Sequence, residues 1–203
     1  MTEPRADKNY TQADWQDHYE KNDLGWDLGR ASPPLARWIE ENSIAPCRVI
    51  VPGCGRGHEV LHLAEKGFEV TAVDFTAGAV DHVSRALAER GLRGTPMQRN
   101  FFDLDSQYDG AFDLMLEQTF FCAISPRERP AYVNTACRIL KPGACLLGLF
   151  YQTNESGGPP FNTTRDDILH HFSPRFEIEH LEKTPHSVDR RKDREWLGYF
   201  RKK

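Results

Sequence analysis

Residues 49 to 57, Val-Ile-Val-Pro-Gly-Cys-Gly-Arg-Gly, constrain this chain more than any other stretch. An apolar β-branched run ends in glycines at alternate positions, Gly53, Gly55 and Gly57. The residues that follow, His58 to Ala64, predict a helix with Val60, Leu61, Leu63 and Ala64 on its buried face and Gly67 as a left-handed stop. A second strand, Phe68 to Val73, then ends on Asp74. Strand, glycine turn, helix, strand and carboxylate make a βαβ unit suited to a nucleoside. Glycine lets the backbone approach a ligand where a Cβ would collide. A carboxylate at the tip of the second strand can accept both hydroxyls of a ribose.

Two ligands fit such a unit. A dinucleotide site calls for Gly-x-Gly-x-x-Gly, with the pyrophosphate on the helix N-terminus. Here the spacing is Gly-x-Gly-x-Gly, with Arg56 and His58 flanking the last glycine. That variant suits a ligand without phosphates, whose aminocarboxypropyl arm lies over the turn. The stretch resembles the one found in class I S-adenosylmethionine methyltransferases.

At 203 residues the chain has the size of one α/β domain with both sheet faces covered. Its 39% hydrophobic and 28% charged content are ordinary for a globular protein. A formal net charge of −4 gives no reason to expect a nucleic-acid partner. The densest basic stretch, Arg190-Arg191-Lys192-Asp193-Arg194, reads as a solvated hairpin loop rather than a phosphate-binding patch. The five cysteines form no C-x-x-C pair, and Cys47, Cys122 and Cys145 sit in apolar, strand-like runs where free thiols act as small hydrophobes. No apolar stretch approaches the ~20 residues of a membrane span, and Met1 to Lys8 is too polar for a signal peptide. These features point to a cytoplasmic chain with no membrane partner. No metal-ligand cluster stands out, since the adjacent His170 and His171 face different sides of a helix.

Met1 to Asn9 is expected to be a mobile tail. Tyr10 to Asn42 is aromatic, with Trp15 and Tyr19 on one side of a short helix, a loop through Trp26, and Pro33-Pro34 opening a second helix. Thr76 is placed to cap a helix striped by Val80, Val83 and Leu87. A third strand, Thr95 to Phe101, would deliver Asp103, and Phe112 to Glu117 reads as a central strand. Ser125-Pro126-Arg127-Glu128 is a capping box before a helix that stops at Lys141-Pro142-Gly143, and Ala144 to Phe150 is a fifth strand. After a short helix near Thr164 to Phe172, Phe176 to Lys183 and Glu195 to Arg201 are too close for a crossover and should pair antiparallel. The fold expected is α/β and Rossmann-like: a seven-stranded, mostly parallel sheet, an antiparallel C-terminal hairpin strand, and helices on both faces.

Several motifs then coincide: Trp26-Asp27-Leu28-Gly29, Val51 to Gly57, Phe120-Phe121-Cys122-Ala123-Ile124, Leu140-Lys141-Pro142-Gly143 and Gly157-Gly158-Pro159-Pro160. Together they resemble the thiopurine S-methyltransferase superfamily, closest to its halide and thiol methyltransferase branch. The resemblance runs from about Trp15 to the C-terminus. It implies S-adenosyl-L-methionine as cofactor and one methyltransferase domain over residues 1–203, in which 1–42 form an aromatic helical lid and 43–203 the core. It also implies that Trp15, Tyr19 and Trp26 cover the cofactor, Gly53 and Gly55 line its amino-acid end, Asp74 binds the ribose, and Phe102 and Asp103 edge the adenine. Glu117 would sit beside the reacting region. The chain departs from plant halide enzymes in carrying Tyr19 where they have tryptophan and Glu117 where they have aspartate.

A sulfonium methyl is already electrophilic, so the protein must hold a nucleophile in line, ~3–3.5 Å from the carbon, and exclude water. Soft nucleophiles need no strong base and gain from aromatic walls, at ~0.5–2 kcal/mol per cation–π contact. Trp26, Phe120, Phe121 and Tyr151 could supply such walls on the acceptor side, with Glu117 and Tyr151 as the catalytic candidates. The Gly157-Gly158-Pro159-Pro160 loop could close over them. A neutral hydroxyl acceptor would need a base, and no His/Asp pair at convincing spacing presents itself. The expected acceptor is a small thiol, thiopurine-type sulfur, selenium compound or halide, handled by a monomer without metal. A nicotinamide-dependent oxidoreductase and a catalytically silent, cofactor-binding regulator are the alternatives.

Overall fold

Four strands lie side by side and set the frame. In the computed structural model, which describes residues 8–203, these are β1 (Arg48–Pro52), β2 (Glu69–Asp74), β3 (Thr95–Gln98) and β4 (Phe112–Gln118). All four are parallel, with β1 between β2 and β4. Next to β4 runs β5 (Leu140–Tyr151), also parallel, and then the hairpin of β6 (Phe176–Lys183) and β7 (Glu195–Lys202). β7 inserts between β5 and β6, antiparallel to both, so the seven strands stand in the order β3-β2-β1-β4-β5-β7-β6. This is the fold expected from sequence.

Helices cover both faces, which is why the central strands read as unbroken apolar runs. One face packs α2 (Pro33–Glu41), α3 (His58–Glu65) and α4 (Ala77–Glu89) through Leu35, Val60, Leu63, Val83 and Leu87. The other packs α5 (Arg129–Ile139) and α6 (Arg165–Phe172) through Tyr132, Ile139 and Phe172. The chain builds outward from β1 to β3, then returns to β4 on the other side of β1. Such a reversal of strand order opens a crevice above the strand ends, where ligands of open α/β sheets bind. The first helix, α1 (Gln12–Glu20), is closed by a Thr11–Asp14 capping box and buries none of its residues.

Several local expectations need correction. β3 stops at Gln98, and Phe101–Asp103 forms a 3-10 turn capped by the Asn100 side chain, which accepts from Phe102 N at 3.1 Å. The Ser125–Glu128 capping box closes a 3-10 turn that runs into α5, and β5 already begins at Leu140 rather than after Gly143. Thr76 stands at the N-cap of α4 without capping it; its hydroxyl is committed to Asp74, as described below. The buried stripe of α4 takes Ala79 in place of Val80. Cys122 lies in the turn after β4, not in a strand, and donates to Thr119 O at 3.1 Å. Of the expected tail, Met1 to Asp7 lie outside the described residues, while Lys8 N donates to Gly158 O at 3.1 Å.

Candidate active site

β1 ends in a turn whose three glycines all take positive φ, at 58° for Gly53, 53° for Gly55 and 72° for Gly57. A Cβ on Gly53 would lie 2.6 Å from Phe120 Cδ2, and one on Gly57 would lie 2.5 Å from Val83 Cγ2. Backbone conformation and internal packing therefore demand glycine at both positions. Close approach of a ligand, the reason expected from sequence, is not needed to explain them. A Cβ on Gly55 would meet only the Tyr19 hydroxyl, at 3.3 Å.

Asp74 closes β2 beside this turn and is 8% exposed. Its Oδ1 accepts from Thr76 N at 2.9 Å and Thr76 Oγ1 at 2.7 Å, and its Oδ2 accepts from Gly55 N at 3.1 Å. Burial raises its pKa, opposed by the hydrogen bonds from Thr76, Gly55 and Phe75. Each carboxylate oxygen offers two acceptor positions. With the Phe75 N–H counted, four donors already engage the carboxylate inside the protein, so a ligand hydroxyl would share or displace one of these hydrogen bonds.

Above the strand ends lies a cavity of about 680 Å³. Gly53, Gly55, Asp74, Phe102, Phe120 and Tyr151 line it from the framework, and Trp15, Tyr19 and Trp26 line it from the N-terminal segment. Trp26 meets Trp15 edge-on with ring centroids 5.3 Å apart, and Tyr19 edge-on at 6.1 Å. Burial raises the pKa of the Tyr19 hydroxyl, and the nearby Asp74 raises it further. A carboxylate lining a space of this size, walled by aromatic rings, fits a nucleoside that carries a sulfonium.

Three expected site residues are not brought to the cavity. Glu117 is fully buried below it: Oε1 accepts from Phe121 N at 2.9 Å and Oε2 accepts from the Tyr132 hydroxyl. Burial pushes its carboxyl up to about 7. With both oxygens engaged inside the protein, Glu117 holds the turn after β4 and does not line the cavity. Phe121 is core, packed on Tyr132 at 5.2 Å and Phe172 at 5.3 Å between ring centroids. Asp103 is exposed on the 3-10 turn, because β3 ends early and the chain bends before reaching it.

The outer rim comes from segments whose role the sequence did not reveal. The basic turn between β6 and β7 is only partly the solvated loop expected: Arg190, Lys192 and Asp193 are exposed and Arg191 is buried, while Arg190, Arg191 and Arg194 all line the cavity. Arg190 donates to Gly25 O at 2.9 Å and Asp27 O at 2.6 Å, and the buried Arg191 donates to Trp26 O at 2.6 Å. Arg194 Nη1 donates to the Tyr151 hydroxyl at 3.5 Å. A His/Asp pair is also present, with His58 Nε2 lying 2.7 Å from Asp27 Oδ1. The same Oδ1 accepts from Gly29 N at 2.7 Å, and Arg56 Nη1 stands 3.6 Å from Oδ2. On the remaining side, Pro159, Pro160 and Phe161 reach the cavity. Gly158 is glycine for want of space rather than for mobility, since a Cβ would lie 2.7 Å from the Phe161 ring. Cys54 and Cys122 also line the cavity, and burial holds both thiols up, Cys122 to about 12.

An antiparallel β7 beside β5, with a β2 carboxylate under the cavity, defines a class I methyltransferase and leaves no second nicotinamide half. Solved structures share the fold: a Burkholderia thailandensis 1,6-didemethyltoxoflavin-N1-methyltransferase with bound S-adenosylhomocysteine superposes with a TM-score of 0.79 at 17% identity, over 98% of this chain and 93% of that one. The magnesium protoporphyrin IX methyltransferase of Synechocystis, with bound S-adenosylmethionine, gives 0.68 at 16% identity, over 98% and 87%.

Sequence comparison narrows the class. The thiopurine S-methyltransferase family model matches residues 10–201. Thiocyanate methyltransferase 1 of Brassica oleracea is 31% identical over 93% of this chain and 84% of its own length. A probable thiol methyltransferase 2 of Arabidopsis thaliana is 30% identical with the same coverage. The thiopurine S-methyltransferase of Pseudomonas fluorescens is 26% identical over 83% and 84%. This chain belongs to the thiopurine S-methyltransferase family and is an S-adenosyl-L-methionine-dependent methyltransferase.

Proposed function

We propose that the enzyme methylates a small, soft and anionic acceptor, a thiolate-type sulfur first, with selenium compounds and halides open to the same site. The carrying observation is the pairing of aromatic wall and cationic rim where Tyr151 meets Arg194. Relatives named as thiocyanate and thiol methyltransferases support the same reading.

Bound S-adenosyl-L-methionine supplies an electrophilic methyl group. Asp74 would hold the ribose, and the Gly53–Gly55 turn would carry the amino-acid end. Phe102 edges the adenine, while Trp15, Tyr19 and Trp26 close the space from above and keep water out. Phe120 and Tyr151 wall the acceptor. Because Arg194 donates to the Tyr151 oxygen, the phenol proton is left free to point at an anion. Arg194, at the Tyr151 hydroxyl, offers an anion a positive charge on this side of the cavity. A thiolate that arrives ionised needs no base, and the buried thiols of Cys54 and Cys122, held protonated, do not compete with it. The enzyme works as a monomer on a diffusible substrate. Its five free cysteines support the reducing cytoplasm as its compartment.

Hydrosulfide, thiocyanate, an aromatic thiol, a thiopurine, iodide and a set of alcohols and amines form the test panel. Activity towards thiols should rise with pH until the acceptor's own thiol is ionised, whereas activity towards iodide stays nearly flat. Turnover confined to hydroxyl or amine acceptors would overturn the proposal.

A further inference from the structure

We propose that the Gly25–Asp27 segment is a two-sided latch, and that Asp27 and Arg190 are positioning residues that set how fast the cofactor enters and leaves. The inference rests on the placement of the cofactor in the cavity proposed above.

Three consecutive carbonyls, those of Gly25, Trp26 and Asp27, each accept a guanidinium N–H from the turn between β6 and β7. A turn closed by Asp27 N on Leu24 O at 2.9 Å shapes this stretch, and its own three carbonyls are met by side chains that arrive from the far end of the sequence. From the opposite side, the Asp27 carboxylate meets His58, the first residue of α3, at 2.7 Å and Arg56, in the glycine turn, at 3.6 Å. Asp27 thus joins three separate structures: the N-terminal segment, the glycine turn and the C-terminal hairpin. The Trp26 indole sits beside this junction as a wall of the cavity.

The ties are polar, and Arg190 is exposed. At the ribose end, α1 is moored in the same manner: Gln12 donates to Phe75 O, and Gly78 N donates to the Gln16 side chain at 3.0 Å. α1 contributes no buried residue to the core. A segment held by polar ties, of which only Arg191 is buried, and by edge-on contacts of Trp26 with Trp15 and Tyr19, opens locally without unfolding the sheet. A ligand under Trp26 can exchange only when it does. Opening that gates exchange in both directions leaves a kinetic signature: loosening the latch speeds entry and exit together.

The experiment measures binding of S-adenosylhomocysteine to the full chain by stopped-flow tryptophan fluorescence, for wild type, Asp27→Asn and Arg190→Ala. Association and dissociation rates should both rise at least fivefold in each variant, with Kd changed less than threefold. Unchanged rates would overturn the latch. Faster dissociation with unchanged association would also overturn it, because that pattern belongs to a lost ligand contact. Arg190→Ala removes an exposed side chain and carries the test should Asp27→Asn fail to fold. Asp74→Ala, measured by calorimetry, tests the underlying cofactor placement separately: affinity falls at least tenfold if the ribose lies there and stays at the wild-type value if it does not.

Discussion

The inner and outer walls of the cavity are built by different means. The inner wall stands on strand ends: Gly53 follows β1, Asp74 closes β2, and Phe120 follows β4. Parallel register fixes these positions, pairing Pro52 with Val73 and Ile50 with Met115. The outer wall is made of loops and one unburied helix, tied by guanidinium-to-carbonyl bonds across as many as 165 residues. The inner wall is therefore part of what makes the protein fold, while the outer wall can open and leave the fold intact. Damage to the first should appear as lost stability, and damage to the second as altered traffic or turnover.

Gly57→Ala tests the contrast most severely. Its φ of 72° costs an L-residue ~1–2 kcal/mol. The added methyl, 2.5 Å from Val83 Cγ2, costs a further ~1–3 kcal/mol as overpacking. Denaturant unfolding should show a loss of ~2–5 kcal/mol. Adding Val83→Ala should return the steric part but not the conformational part, a coupling that a double-mutant cycle resolves. If Gly57→Ala costs no more than the exposed Arg190→Ala, the two walls do not differ as described.

Glu117 provides the next largest effect, because it supports the Phe120 turn from below. Its carboxyl titrates near 7 in the folded state against an ordinary 4.5, so the native protein binds more protons than the unfolded chain between those values. Stability from this group is fully present below pH 4.5 and is lost as pH rises through 7, by on the order of 3 kcal/mol. In Glu117→Gln the amide oxygen can still accept from Phe121 N, and the amide nitrogen can donate to the Tyr132 oxygen. The variant should fold and lack this pH slope. Asp74 and Glu59, whose pKa values burial also raises, add slopes of the same sign to both proteins and cancel in the comparison. Denaturation at pH 5 and pH 8 measures the difference, and parallel curves for the two proteins would show that Glu117 does not titrate in this range.

The same contrast explains what could be read from the sequence. The βαβ unit, the central strands and the C-terminal hairpin are visible because each depends on neighbours within a few dozen residues. Strand period, glycine and capping residues carry that information locally. Asp74 and the glycine turn are legible for the same reason. Glu117 is legible as a carboxylate at a strand end, but whether it points up into a cavity or back to Phe121 N depends on the turn that follows. Asp103 misleads because β3 ends early, a stop whose sign in the sequence is Asn100, the cap of the following 3-10 turn. The basic run from Arg190 to Arg194 looks like a solvated loop because its partners, the carbonyls of Gly25 to Asp27, carry no side-chain signature. The Asp27–His58 pair is hidden in the same way, its members lying 31 residues apart on separate elements.

The smallest predicted effect belongs to the rim. Tyr151 is half-buried, with the Arg191 guanidinium 5.6 Å from its ring centroid and Arg194 at its hydroxyl. Tyr151→Phe keeps the ring as a wall and removes the hydroxyl, both the proton it can offer and the oxygen that accepts from Arg194. One hydrogen bond of ordinary strength contributes ~0.5–1.5 kcal/mol, so kcat/KM for an anionic acceptor should fall about two- to tenfold. Affinity for S-adenosylhomocysteine should not change, because the hydroxyl belongs to the acceptor side. The loss should also be larger for a charged acceptor than for a neutral one of similar size. Equal losses in cofactor affinity and turnover would move Tyr151 to the cofactor side. An unchanged kcat/KM would mean that the phenol proton points away from the acceptor, leaving Arg194 as the group that meets the anion.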